Sequence, residues 1–144
     1  PGKGFGIVAS EVKSLAGAHR KLVEEVAGSR ARAQWESTSP GADSVRRLRG
    51  GDGMAPDELR AFAVACAALP ATLFVGAVRA TRTIALAVSA DLDVNAGALL
   101  KGELQEFGGR GGGSARTAQG TVTTDDQLDA VLAALLGHTI GREP

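Results

Sequence analysis

The sequence predicts an α/β (α+β) protein: a small mixed sheet with helices on one face, preceded by an N-terminal helical arm. Three observations predict it. The N-terminal stretch repeats its apolar residues at helical spacing. Two runs in the middle alternate or run apolar like strands. Helical segments with recognisable start signals separate and follow those runs. With 144 residues, 44% of them hydrophobic, the chain suits one domain or one domain plus an appendage. A domain of that size buries roughly two-thirds of its unfolded surface.

The first element is a helix over 7–33. Val8, Val12, Leu15, His19, Leu22 and Val26 are spaced 4-3-4-3-4, as on a short coiled-coil seam. The charges Glu11, Lys13, Lys21, Glu24 and Glu25 fall elsewhere. Residues 35–43 read as a linker, rich in Ser, Thr, Pro and Gly. Residues 44–49 (SVRRLR) form a short strand with Val45 inward, and the turn Gly50 to Gly53 follows. Pro56 opens a helix with Asp57 and Glu58 in its first turn, where carboxylates favour the dipole, and Pro70 marks its stop. Thr72 to Val78 and Arg82 to Ser89 are strands joined by a short turn, Ile84, Leu86 and Val88 alternating with smaller residues. Asn95 caps a helix from Ala96 to Phe107. Thr124 and Gln127 make a capping box for a last helix with the stripe Leu128, Val131, Leu132, Leu135 and Leu136. The division is thus an arm over 1–34, a linker over 35–43 and a glycine-motif domain over 44–141.

Charge and cysteine content exclude several classes. The net charge is zero, with 16 basic and 16 acidic residues, so a polyanion has to meet local patches. One such patch lies between Phe107 and Thr124, with two arginines and no acid. Cys66 is the only cysteine, which rules out an internal disulfide and suits a small buried hydrophobe. One cysteine and two histidines make a four-ligand zinc site an unfit reading, and no cofactor is expected. No run of 18 apolar residues is present, so no membrane contact is expected. The cytoplasm is the expected setting. Pro1 in place of an initiator methionine suggests a fragment or processed product.

Glycine is heavy at 20 residues and clusters between Gly108 and Gly120, read as a loop. Gly108-Gly109-Arg110-Gly111-Gly112-Gly113 removes the Cβ atom from five of six consecutive positions. Such a run permits positive φ angles and close approach of a backbone or ligand. Its N–H groups can form an anion-binding nest, Arg110 and Arg116 can add bidentate phosphate contacts, and Ser114, Thr117 and Gln119 supply neutral hydrogen-bonding groups. The glycines alone fit equally a tight turn packed against the following helix. A P-loop is excluded because no lysine follows the glycines. A dinucleotide fingerprint is excluded because this run follows a helix, not a strand.

The longer pattern is more specific. Ala96-Gly97-Ala98-Leu99-Leu100-Lys101, then Phe107 to Gly113, then Ala118-Gln119-Gly120 resembles the DHH-associated domain that ends alanyl-tRNA synthetases and the longer AlaX-type alanyl-tRNA editing proteins. The resemblance covers residues 44–136. It implies a non-catalytic domain that contacts the outer corner of tRNA, tRNA-Ala in particular. Its contacts would come from Gly109, Arg110, Gly111, Gly112, Gly113, Ser114, Arg116 and Gln119, with Arg46, Arg47 and Arg49 as weaker candidates. The related phosphoesterases carry histidine where this chain has Ser114, which favours the tRNA branch. The parent protein would then be an alanine-tRNA ligase or an alanyl-tRNA deacylase.

Residues 1–16 carry a second resemblance. Gly2-Lys3-Gly4-Phe5-Gly6-Ile7-Val8-Ala9-Ser10-Glu11-Val12-Lys13-Ser14-Leu15-Ala16 is similar to the signalling tip of methyl-accepting chemotaxis receptors, with Gly6 and Ile7 as its departures. It supports an alternative reading, a protein-interaction or homodimer module with a receptor-like helix. No catalytic residue is assigned. His19 and His138 read as structural, the HxxxH and CxxxH spacings of alanyl-tRNA editing sites do not occur, and Asp125-Asp126 suit a first helical turn. Trp35, near the linker, suits packing or a partner contact as well as base stacking. With 3% aromatics, a stacking platform for single strands is disfavoured.

Overall fold

The computed structural model describes the backbone of residues 2–138 and the side chains of residues 17–138. Helix α1 runs Gly2–Ser37 and is followed by β1, Arg46–Gly50, and α2, Pro56–Ala67. The strands β2, Thr72–Val78, and β3, Thr83–Val88, lead into α3, Ala96–Phe107. Next come β4, Arg110–Gly113, and β5, Thr117–Thr121, and the order closes with α4, Asp125–Leu136. The strands form one mixed sheet in the order β1-β2-β3-β5-β4, with β1 parallel to β2 and the other pairs antiparallel.

The mixed α/β class holds, but the helices cover both faces of the sheet rather than one. Leu73, Val75 and Ala77 of β2 and Ile84, Leu86 and Val88 of β3 point to α3 and α4, where Leu100, Leu104, Leu128, Val131 and Leu135 close the core. Leu48, Phe74, Ala85 and Ala87 point the other way, to Leu59, Phe62 and Cys66 of α2 and Ala27 and Ala31 of α1. The reason lies in β2 and β3. Every residue from Leu73 to Ala77 and from Ile84 to Val88 is buried, so both faces of the central strands are dry and need cover. The alanines of β3 read in sequence as a weak, solvent-facing side. In the fold they let α2 approach closely, and Phe62 and Phe74 pack there at 5.1 Å between ring centroids.

The elements start and stop for local reasons. Asn95 Oδ1 accepts from Ala98 N–H at 3.0 Å. Thr124 and Gln127 make the reciprocal capping box that opens α4. Pro56 stands at the first position of α2 with Asp57 and Glu58 behind it.

Helix α1 continues through Ser37, into the stretch read as a linker. Its buried side is Ala27 and Ala31, not the expected seam: Leu22 is 57% and Val26 45% exposed. Alanine is a weak apolar signal in sequence, yet it permits the closest helix–helix approach, and α2 takes that side. Val8, Val12 and Leu15 lie outside the described side chains, as do all of residues 1–16 of the receptor-like segment. The far end of the domain, 139–141, also lies outside the described residues. Trp35 serves packing: its Nε1–H donates to Pro70 O at 3.1 Å, and Arg46 stacks 3.9 Å above its ring.

Candidate nucleic-acid interface

The glycine run is a β-hairpin, not a loop. Gly108 ends α3 with φ +86°, and its successor Gly109 donates to Leu104 O at 2.7 Å. The chain then turns back through β4 and β5, pairing Arg110 with Thr121 and Gly113 with Ala118. β5 in turn pairs with β3, so β4 is an edge strand of the sheet. Glycine is a poor strand former, and its presence inside a strand marks close backbone approach. The approaching element here is the preceding helix, not the following one.

Most of these glycines are explained by that contact. A Cβ added at Gly111 would lie 2.5 Å from Gly120 Cα and 2.7 Å from Leu104 Cδ1. One at Gly109 would lie 2.8 Å from Leu104 Cδ2, and one at Gly97 2.5 Å from Gly113 O. The Leu104 side chain thus sits on a bare ribbon, and the start of α3 rests on the hairpin tip. Gly112 differs, for its Cβ would meet nothing within 4 Å. It faces away from α3, as do its cross-strand partner Gln119 and, by strand alternation, Arg110.

The expected anion nest does not form. A nest needs alternating left-handed residues, and among the hairpin glycines only Gly108 has a positive φ. The tip turns its carbonyls inward instead. Ala96 N–H donates to Ala115 O at 2.9 Å and Gly97 N–H to Ser114 O at 2.8 Å, so hairpin carbonyls cap the α3 N-terminus. Ser114 closes the turn: its N–H donates to Thr117 O at 2.8 Å, and its Oγ accepts from Arg116 N–H at 3.3 Å and Thr117 N–H at 3.2 Å.

The two hairpin arginines are exposed, and neither pairs with an acid among the described residues. They stand at opposite ends of the ribbon, with backbones about 13 Å apart by strand rise. The weaker candidates are elsewhere. Arg46, Arg47 and Arg49 lie on β1, the other edge of the sheet. Arg47 is committed to Asp43 at 2.6 Å and to His138 O at 2.7 Å, and the Asp43 hydrogen bond raises its pKa despite partial burial. Arg46 is held by Trp35 and by Thr38 O at 2.9 Å. Arg49 remains exposed, near Asp52 and Arg79.

One residue next to the hairpin escaped the sequence reading. Arg60 of α2 shares with Gln119, Thr117 and Gly112 a groove of about 390 Å³. Its sequence signal is faint, an arginine four residues before the exposed Val64, on a helix whose only other charges are Asp57 and Glu58.

The groups that could carry chemistry are scattered. Cys66 is fully buried, and burial pushes its thiol up to about 12. His19 is exposed on α1, not packed as expected, and His138 follows α4. Asp125 sits in the first turn of α4 and pairs with Arg82 at 3.3 Å. Among the described residues no group of His, Cys, Asp and Glu is placed to hold a metal ion, and no helix is long and apolar enough to cross a membrane.

No family model matches the chain, and no curated protein matches it. Among solved structures it is similar to the C-Ala domain of Aquifex aeolicus alanyl-tRNA synthetase. That likeness has a TM-score of 0.53 and 24% identity, over 63% of this chain and 87% of that one. It is also similar to RecJ from Thermus thermophilus, solved in complex with Mn2+, with a TM-score of 0.51 and 18% identity. That match covers 82% of this chain but 16% of RecJ, so the chain corresponds to a small part of that protein. At these identities the likeness is one of fold. The resemblance of residues 1–16 to a receptor tip finds no support in these comparisons.

Proposed function

We propose that this chain is a non-catalytic nucleic-acid-binding domain that contacts tRNA, tRNA-Ala in particular, through the exposed side of the glycine hairpin. The observation that carries the reading is an acid-free hairpin bearing Arg110 and Arg116, neither in an ion pair among the described residues, on a fold like that of an alanyl-tRNA synthetase C-Ala domain. Residues 44–141 are the binding unit, residues 1–34 the arm that docks on it through Ala27 and Ala31, and residues 35–43 the connection. The contacts are phosphate contacts from the two arginines and neutral ones from Gln119 and the Gly109–Gly113 backbone. Ser114 acts by holding the tip in shape. The chemistry is done by other parts of an aminoacylating or editing protein in the cytoplasm.

The test is fluorescence anisotropy with labelled tRNA from low to moderate salt. Each phosphate contact contributes roughly 0.7–0.9 to the slope of log K against log salt. Arg110→Ala with Arg116→Ala lowers that slope by one to two units. Absence of tRNA binding at low salt, or an unchanged slope in the double variant, defeats the reading.

A second reading has its own observation. Leu22 and Val26 stay exposed on α1, a stripe free to join a second copy. It requires a concentration-dependent mass in sedimentation that Leu22→Asp abolishes, and a monomer at every concentration rejects it.

A further inference from the structure

We propose that the groove between α2 and the hairpin receives one unpaired nucleobase of the bound RNA, with Gln119 reading its edge and Arg60 meeting its phosphate. The proposal rests on the RNA-binding reading above and says which part of the RNA the domain selects. The groove exists because α2 covers Leu48, Phe74, Ala85 and Ala87 but stops short of the β5–β4 ribbon. Its volume of about 390 Å³ falls inside the range of roughly 300–1,000 Å³ usual for ligand sites.

The chemistry of the lining fits a base. The apolar part of the lining is Ala63, Ala85 and the bare backbone of Gly112. Packing explains the absence of a side chain at Gly111 but not at Gly112, where a Cβ would meet only open space. What a side chain there would do is fill the groove. Val64, 56% exposed and so far without a role, forms the lip. The Gln119 amide is exposed, has no hydrogen-bond partner among the described residues, and offers a donor beside an acceptor, the pairing that base edges present. Arg60 is exposed and makes no ion pair among the described residues, and no Asp or Glu lines the groove. The site therefore joins an amide and a guanidinium at its rim to an apolar lining, while Asp57 and Glu24 lie on the other side of Arg60. RNA offers such a site an unstacked base from a loop or bulge, whereas the bases of a duplex stay stacked out of reach.

The experiment uses the full chain and two fluorescein-labelled RNAs, a hairpin with an unpaired loop and a blunt duplex of the same stem. Gln119→Ala removes the reading amide, and Gly112→Val fills the groove. Each is expected to weaken the hairpin roughly tenfold, the scale of one lost base contact, to weaken the duplex far less, and to leave the melting temperature unchanged. Arg110→Ala with Arg116→Ala weakens both RNAs instead. Equal losses for hairpin and duplex, or no loss in either groove variant, overturn the proposal while the RNA-binding reading stands. Wild-type protein that binds neither RNA overturns both.

Discussion

Gly111 and Gly112 are chain neighbours with opposite surroundings, and exchanging each for alanine separates packing from binding as the reason for the glycine run. At Gly111 the new methyl would lie 2.5 Å from Gly120 Cα and 2.6 Å from Gln119 O, both backbone, and 2.7 Å from Leu104 Cδ1. Real Cβ contacts do not come that close, and backbone in an antiparallel ladder yields only by moving the hairpin off α3. Overpacking of this kind costs about 1–3 kcal/mol. In a chain of this size each kcal/mol shifts the midpoint by about 3–4 °C, so Gly111→Ala melts some 3–12 °C lower. At Gly112 the methyl enters open space, and the gain from a less flexible unfolded chain, about 0.4–1 kcal/mol, offsets any local cost. Gly112→Ala therefore melts at or slightly above the wild type. Thermal and urea unfolding followed by circular dichroism measure both variants. If Gly111→Ala is as stable as Gly112→Ala, the close approach of α3 is not what the glycine at 111 serves.

Other substitutions probe the rest of the fold. Leu104→Ala opens a cavity above Gly109, Gly111 and Gly120, where Leu104 is 1% exposed, and costs about 2–5 kcal/mol in urea unfolding. Thr124→Ala breaks the capping box of α4 and costs about 1 kcal/mol, while Thr124→Ser restores the cap and most of that loss. Cys66 adds a pH dependence. Its folded thiol is raised from 9.0 to about 12, so the folded state holds the proton after the unfolded state has lost it. The corresponding stability is intact below about pH 9 and falls by up to ~1.4 kcal/mol per unit as pH climbs toward 12. Cys66→Ala removes that slope, and native protein at pH 8 reacts with iodoacetamide far more slowly than unfolded protein does. A thiol alkylated at the same rate in both states contradicts the burial.

The helices and central strands were legible because their signals are local. Ala96 to Phe107 lies between a capping asparagine and a glycine whose left-handed conformation ends the helix, and the strand Thr72 to Val78 is apolar along its length. The glycine run was legible as a special place but not as a strand. Nothing within 108–120 says that Leu104 lies over it or that β3 waits to pair with it. The arginines show the same limit. Arg46, Arg47 and Arg49 look like a basic cluster in sequence, yet Trp35 and Asp43 claim two of them and the fold carries all three to the edge away from the hairpin.

By itself the sequence determined the four helices and the first three strands, the caps, the buried thiol and the fact that its glycines cluster beside arginines without acids. These follow from side-chain chemistry and from spacing along the chain. Only the tertiary structure decided that helices cover both sheet faces, that α1 docks by its alanines and leaves Leu22 and Val26 outside, and that the glycines form an edge hairpin. It also decided that Arg60 joins Gln119 across a groove. Those outcomes depend on which surfaces lose water together, and residues 59 positions apart meet only when the sheet has closed between them.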